Sequence, residues 1–204
     1  MLDGICQPGN YRNDEDIAPY GTKLVGGYLF APRKGERNTR ENAVRSPGHN
    51  SVCFDEALNR WFMLHDTRFA SMGDRYIVRA REMFFSEDGW PMVAPTRYVP
   101  GAEEASEPVL EGSFKLARHE RDIDLIERRS VLATLGQDGV IAGEASGSFE
   151  VGENGSVEVT LDGVRYAGVY YTGYDDVRDE YVTCLTAMSE EGEALWGMRA
   201  TVRE

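Results

Sequence analysis

The chain has 204 residues, 41% of them hydrophobic and 28% charged, with a net charge of -13. That length suits one large domain or two small ones, and the composition is ordinary for a soluble globular protein. The acidic balance disfavours nucleic acid or an anionic membrane surface as a partner and leaves a neutral sugar chain unpenalised, while no apolar run reaches the roughly 20 residues of a bilayer span.

Along the chain, Met1 to Gly9 lacks a basic region followed by an apolar core and does not read as a signal peptide. The expectation is a chain that stays inside the cell or one whose true N-terminus lies upstream. Short runs rich in β-branched and aromatic residues then follow one another: Ser51 to Phe54, Arg60 to Leu64, Tyr76 to Phe85, Ser156 to Leu161, Val164 to Thr172 and Tyr181 to Met188. Asp138-Gly139, Asn154-Gly155 and Asp162-Gly163 supply the positive φ angles of tight hairpins. The one helical candidate, Asp122 to Arg129, is short. The fold class is therefore all-β. Cys6, Cys53 and Cys184 form no CxxC pair, which argues against disulfides and zinc; Cys53 and Cys184 lie in apolar runs and read as buried thiols.

Tyr98 to Pro108 is acidic and bounded by prolines, the composition of a linker. It divides the chain into residues 1–100 and 108–204. The second part, with very short turns, reads as a small antiparallel β-barrel or sandwich. The first part, with longer connections such as Ala31 to Gly48, has strands for about one propeller blade and part of another. A closed propeller takes about four to eight.

Specific residues carry a resemblance. Ser46-Pro47-Gly48-His49-Asn50-Ser51 leads into a strand, Thr67-Arg68-Phe69 ends the next, and Asp88-Gly89-Trp90-Pro91 closes a later turn. Pro19-Tyr20-Gly21-Thr22-Lys23-Leu24 lies upstream; Gly147-Ser148-Phe149, Tyr166-Ala167-Gly168-Val169 and Ala194-Leu195-Trp196-Gly197 lie downstream. In this order the pieces resemble the last blade and C-terminal β-barrel of glycoside hydrolase family 43 endo-1,5-α-L-arabinanases. The resemblance implies a partial five-bladed β-propeller followed by the barrel. It also implies inverting hydrolysis of α-1,5-arabinan by two carboxylates about 6.5–9.5 Å apart. In the family these carboxylates precede the Pro-Gly-His-Asn-Ser strand by a long way, so no catalytic residue is assigned here, and the chain alone is expected to be inactive. Missing N-terminal blades or a complementary chain become the expected partner.

The resemblance places His49 at a metal ion on the propeller axis, usually calcium, with Asn50 and Ser51 as support. Histidine nitrogen is an unusual companion for an oxygen-seeking cation, which asks for a largely hydrated ion. Asp66 departs from the family, where histidine often precedes Thr-Arg-Phe. His119, in a polar stretch, reads as a surface residue. Asp14-Glu15-Asp16 and Asp122-Ile123-Asp124 do not extend into a calcium-loop pattern, and Asn154-Gly155-Ser156 fits a hairpin as well as a glycosylation site. Trp61, Trp90 and Trp196 could stack on sugars, although packing is the commoner use. The competing reading is a free-standing, non-catalytic β module that binds carbohydrate or a partner chain.

Overall fold

The computed structural model describes residues 21–38, 42–73, 75–122 and 126–201. Cys6, Pro19-Tyr20 and Asp14-Glu15-Asp16 lie outside them. The strands are β1 (Tyr28–Leu29), β2 (Ala43–Asp55), β3 (Arg60–Phe69), β4 (Ile77–Phe85), β5 (Pro91–Val93), β6 (Gly112–His119) and β7 (Arg128–Arg129). They continue with β8 (Val131–Leu135), β9 (Val140–Gly143), β10 (Gly147–Val151), β11 (Ser156–Leu161), β12 (Val164–Asp175), β13 (Glu180–Ser189) and β14 (Ala194–Arg199). Helix among the described residues is confined to single turns, one of them Ala102–Ala105. The all-β expectation holds.

Eight strands close into a barrel in the order β10-β11-β12-β13-β14-β6-β8-β9, every pairing antiparallel. Local chemistry sets the corners. Asp162 and Gly163 both take positive φ, 49° and 87°, and join Leu161 to Val164 in a two-residue hairpin, as the Asp-Gly pair predicts. Gly168 lets β12 approach β13 closely: a Cβ there would stand 2.1 Å from the Thr186 carbonyl oxygen.

The remaining strands form an open sheet in the order β5-β4-β3-β2-β1-β7. Within it β2 to β5 make an antiparallel meander of four strands. Its far edge is unexpected. Arg128–Arg129 forms a strand parallel to Tyr28–Leu29 where the sequence reading placed a helix. Ile126 and Glu127 have no regular structure, and residues 123–125 lie outside the described set. Tertiary pairing with a segment about a hundred residues away outweighs a weak local helical preference.

Strand alternation feeds two cores. On β6, Phe114 and Leu116 point into the barrel, while Ala117 joins a second cluster outside it. On β14, Leu195 is inside, and Trp196 and Met198 are outside. On β13, Leu185 and Ala187 are inside, and Cys184 and Val182 are outside. The outer cluster is completed by Tyr28, Phe30, Val44, Met63, Phe69, Met83 and Val93 of the first part. The open sheet thus packs on the barrel wall and buries both faces of these three strands.

The acidic segment after Tyr98 is fastened to the same wall. The Tyr181 hydroxyl donates to the Pro100 carbonyl (3.0 Å) and Thr172 Oγ1 to the Ser106 carbonyl (2.8 Å). Of the two cysteines expected inside, Cys184 is buried, but Cys53 is exposed. It lies on β2 past Ala43 and Val44, the residues that pair with β1, so β2 is a sheet edge at Cys53.

Candidate functional site

His49, Asn50 and Ser51 lie on β2 where its pairing with β3 is broken twice. Arg45 faces Arg68, Gly48 faces Asp66 and Ser51 faces Leu64, so at each step β2 advances three residues while β3 advances two. Each step is a bulge of one extra residue, a device that bends a strand and re-aims its side chains. His49 takes φ 50°, a left-handed conformation that non-glycine residues seldom adopt. The bulge leaves His49, Asn50 and Ser51 all exposed.

Among the described residues, no three histidine, cysteine, aspartate or glutamate side chains converge as a metal ion requires. Calcium takes six to eight oxygen ligands. One exposed imidazole does not make such a site, so the described residues do not by themselves fit calcium, and no chemical step is routed through it.

A buried polar cluster lies elsewhere, in the seam between sheet and barrel. Arg81 on β4 is buried. It donates from Nε to His65 Nε2 (2.9 Å), from one terminal nitrogen to the Ala94 carbonyl (2.9 Å) and from the other to the Tyr28 hydroxyl (2.7 Å). Its guanidinium lies 5.2 Å from the Trp196 ring centroid and 5.7 Å from that of Tyr28, in cation–π contact with both. Since His65 Nε2 accepts from Arg81, its proton sits on Nδ1, which donates to the Asp66 carbonyl (2.8 Å). Burial and then the Arg81 charge push the His65 pKa down to about 4.

His119 corrects the sequence reading: it is fully buried, with its ring edge-on to Trp196 at 4.3 Å and to Tyr28 at 5.7 Å. Its Nδ1 accepts from the Gly26 amide (3.3 Å), and burial followed by the Lys23, Arg81 and Arg128 charges pushes its pKa down to about 3. The polar stretch around it misled because β6 is covered on its outer side by a distant sheet. Arg81 had a signal that was missed: in the alternation Arg79, Arg81, Met83 it shares the parity of a core methionine. Of the tryptophans, Trp196 is core, whereas Trp61 and Trp90 are 41% and 50% exposed.

This seam binds the two sheets to each other, and the barrel interior is filled by Phe114, Leu135, Ile141, Phe149, Leu161, Leu185 and their neighbours. The barrel interior is therefore not an open cavity for a ligand. A family model described as the GH43_C C-terminal lipocalin-like domain matches residues 95–197. The chain belongs to this GH43_C family.

The GH43_C barrel and the sheet before it are both found in relatives. The chain is 33% identical over 200 residues to "Extracellular endo-alpha-(1->5)-L-arabinanase 2" of Bacillus subtilis, covering 98% of this chain and 42% of that protein. It is 32% identical to "Extracellular endo-alpha-(1->5)-L-arabinanase" of Thermotoga petrophila, over 90% of this chain and 40% of that protein. The chain thus spans about two fifths of the length of these curated relatives. Among solved structures it is similar to the glycoside hydrolase family 43 YxiA protein of Bacillus licheniformis, with a TM-score of 0.81 and 31% identity over 96% of this chain and 43% of that one. The endo-1,5-α-L-arabinanase of Thermotoga petrophila gives a TM-score of 0.80 and 29% identity over 92% of this chain and 42% of that one.

Proposed function

We propose that this GH43_C chain is the C-terminal portion of an inverting arabinan endo-1,5-α-L-arabinanase, with the acid and base carboxylates on a part that precedes it. The observation that carries the reading is the reach of the similarity. It runs through the open sheet as well as the barrel, at 33% identity over 98% of this chain, to a relative named for arabinan cleavage.

The four-stranded meander β2 to β5 has the strand count of one propeller blade and stands as the closing blade in this reading. Neighbouring blades would cover the apolar side chains left bare on its outer end, and the proposed partner is therefore the N-terminal blades, in the same protein or on a complementary chain. The bulged segment Gly48 to Ser51 would face the propeller axis. There His49 would contribute to an ion site, usually calcium in the family, whose oxygen ligands come from outside the described residues. The substrate of the assembled enzyme is arabinan or an arabino-oligosaccharide.

The test is hydrolysis of debranched arabinan by this chain alone and together with the preceding part. The chain alone is expected to give no turnover, since an acid and a base are each worth about 10²–10⁴-fold. Turnover by the purified chain would overturn the placement of the carboxylates. No turnover by the combination would overturn the arabinanase reading.

A further inference from the structure

Between the open sheet and the barrel lies a cleft of about 370 Å³, walled on one side by β3 and β4, on another by β12, and on a third by the chain from Tyr98 to Pro108. That volume is within the roughly 300–1,000 Å³ of small-molecule sites. Its lining is not a plain apolar gap. Tyr98, Tyr170 and Tyr174 contribute aromatic surface, and all three are partly exposed. Tyr98 is held edge-on to Phe62 at 4.9 Å, and Tyr174 carries the Arg97 guanidinium at 5.2 Å. The rings are thus fixed before a ligand arrives, which lowers the ordering cost of binding.

The polar groups narrow the ligand class. The charged lining residues are Arg60, Arg97, Glu82 and Glu107, two of each sign, in a chain whose net charge is -13. Arg60 is paired with Glu82 at 2.8 Å and Arg97 with Asp176 at 2.6 Å. These pairs are close to neutral and present little net field to attract an anion or a cation, and the charge of Glu107 is exposed to solvent and screened. The carboxylates still offer spare acceptor lone pairs. Fixed tyrosine surface beside planar, charge-neutral hydrogen-bonding pairs matches a ligand with hydroxyl edges and apolar C–H faces.

We propose that this cleft is a binding site for a neutral oligosaccharide, with Tyr98 and Tyr174 as the aromatic contacts and the Glu82 carboxylate, held by Arg60, as the hydroxyl-binding group. It stands at the end of the β2–β3 ladder opposite the His49 bulge. Arg60 is six residues from Asp66 along β3, which at about 3.3 Å per residue is roughly 20 Å. The arabinan reading supplies only the first probe, an arabino-oligosaccharide; the cleft itself asks for a neutral sugar chain.

The experiment is titration of the full chain by calorimetry and by NMR shifts with neutral oligosaccharides derived from arabinan, xylan, galactan and glucan. Saturable binding is expected for at least one, weakened tenfold or more by Tyr98→Ala, Tyr174→Ala and Glu82→Gln, the last keeping the side chain's shape. Trp90→Ala, in the β4–β5 turn outside the cleft, should leave affinity unchanged. Binding of another sugar but not of the arabino-oligosaccharide would keep the cleft and count against arabinan. No saturable binding by any of the four, or binding that all three cleft variants leave intact while they remain folded, would overturn the proposal.

Discussion

The barrel and the open sheet solve the same problem, the burial of alternating side chains, in opposite ways. The barrel closes on itself and fills its interior with its own residues, so its inner core needs nothing else. The sheet cannot close. The part resting on the barrel buries Tyr28, Val44, Met63, Phe69, Met83 and Val93, while the far end and the β2 edge leave Val52, Phe54, Trp61 and Phe85 exposed, and Leu64 is exposed on the opposite face. Closure makes a fold self-sufficient, whereas an open sheet inherits its stability from whatever lies against it.

The largest expected effect comes from separating the two. We propose that residues from about Glu107 onward fold as a unit, whereas a chain ending near Ala102 does not. The barrel retains eight paired strands and its whole interior. The sheet loses Trp196, Cys184, Met198 and Ala117 from its main core, Met188 and Ala194 from beside Met92, and β7 from its edge. The isolated barrel should melt cooperatively by calorimetry, with increased dye binding to its uncovered wall. A stable sheet beside an unfolded barrel would reverse the comparison.

The seam itself is sharpened by two tryptophans. Trp196 is fully buried between the sheets, and Trp61 is 41% exposed on the sheet's outer end. Trp196→Ala should cost about 3–5 kcal/mol, the range for a large buried ring cut to a methyl. Trp61→Ala should cost less than about 1 kcal/mol, since its ring is 41% exposed and its ring contacts are to the exposed Phe54 (5.2 Å) and Phe85 (6.1 Å). Chemical denaturation of the two variants measures the difference, and equal costs would remove the distinction between the two ends of the sheet. Arg81→Met should fall between them, near 3 kcal/mol, because it leaves the His65, Tyr28 and Ala94 acceptors without their buried donor.

What the sequence made legible was the local chemistry. Asp162-Gly163 specifies its turn from two residues, and the runs from Ser156 to Leu161 and Val164 to Thr172 fall inside the observed strands because alternation is a property of neighbours. What escaped it was decided across the fold. His119 and Cys53 exchanged their expected environments since one lies beneath a sheet joined through distant residues and the other on an edge stretch of β2 that β1 does not reach. Arg128–Arg129 became a strand through a partner at Tyr28–Leu29. The Pro-Gly-His-Asn-Ser motif could be read, but the double bulge that exposes His49 could not, because a bulge is a mismatch between two strands.

The last effect is on pH, it belongs to the seam, and it is the smallest of these only near neutrality. The folded-state pKa values of His65 and His119 are lowered, to about 4 and about 3, from an ordinary 6.5. The unfolded chain therefore binds protons more readily below pH 6.5, and stability must fall with falling pH. The contribution is fully present above about pH 6.5, declines as pH drops through the window toward 4 and then 3, and is gone below that. Each group adds at most about 1.4 kcal/mol per pH unit inside the window. Protonation would set a charged imidazole against Arg81 in one case, and against Lys23, Arg81 and Arg128 in the other. His119→Phe keeps a ring against Trp196 but cannot titrate. Its melting temperature should start lower at pH 7, with the Gly26 amide left without its acceptor, and then fall less steeply between pH 6.5 and 4 than that of the parent. The isolated barrel, in which His119 is no longer covered by the sheet, should show the same flattening with its histidine intact. A parent slope that both of these retain would mean that the pH dependence arises outside the seam.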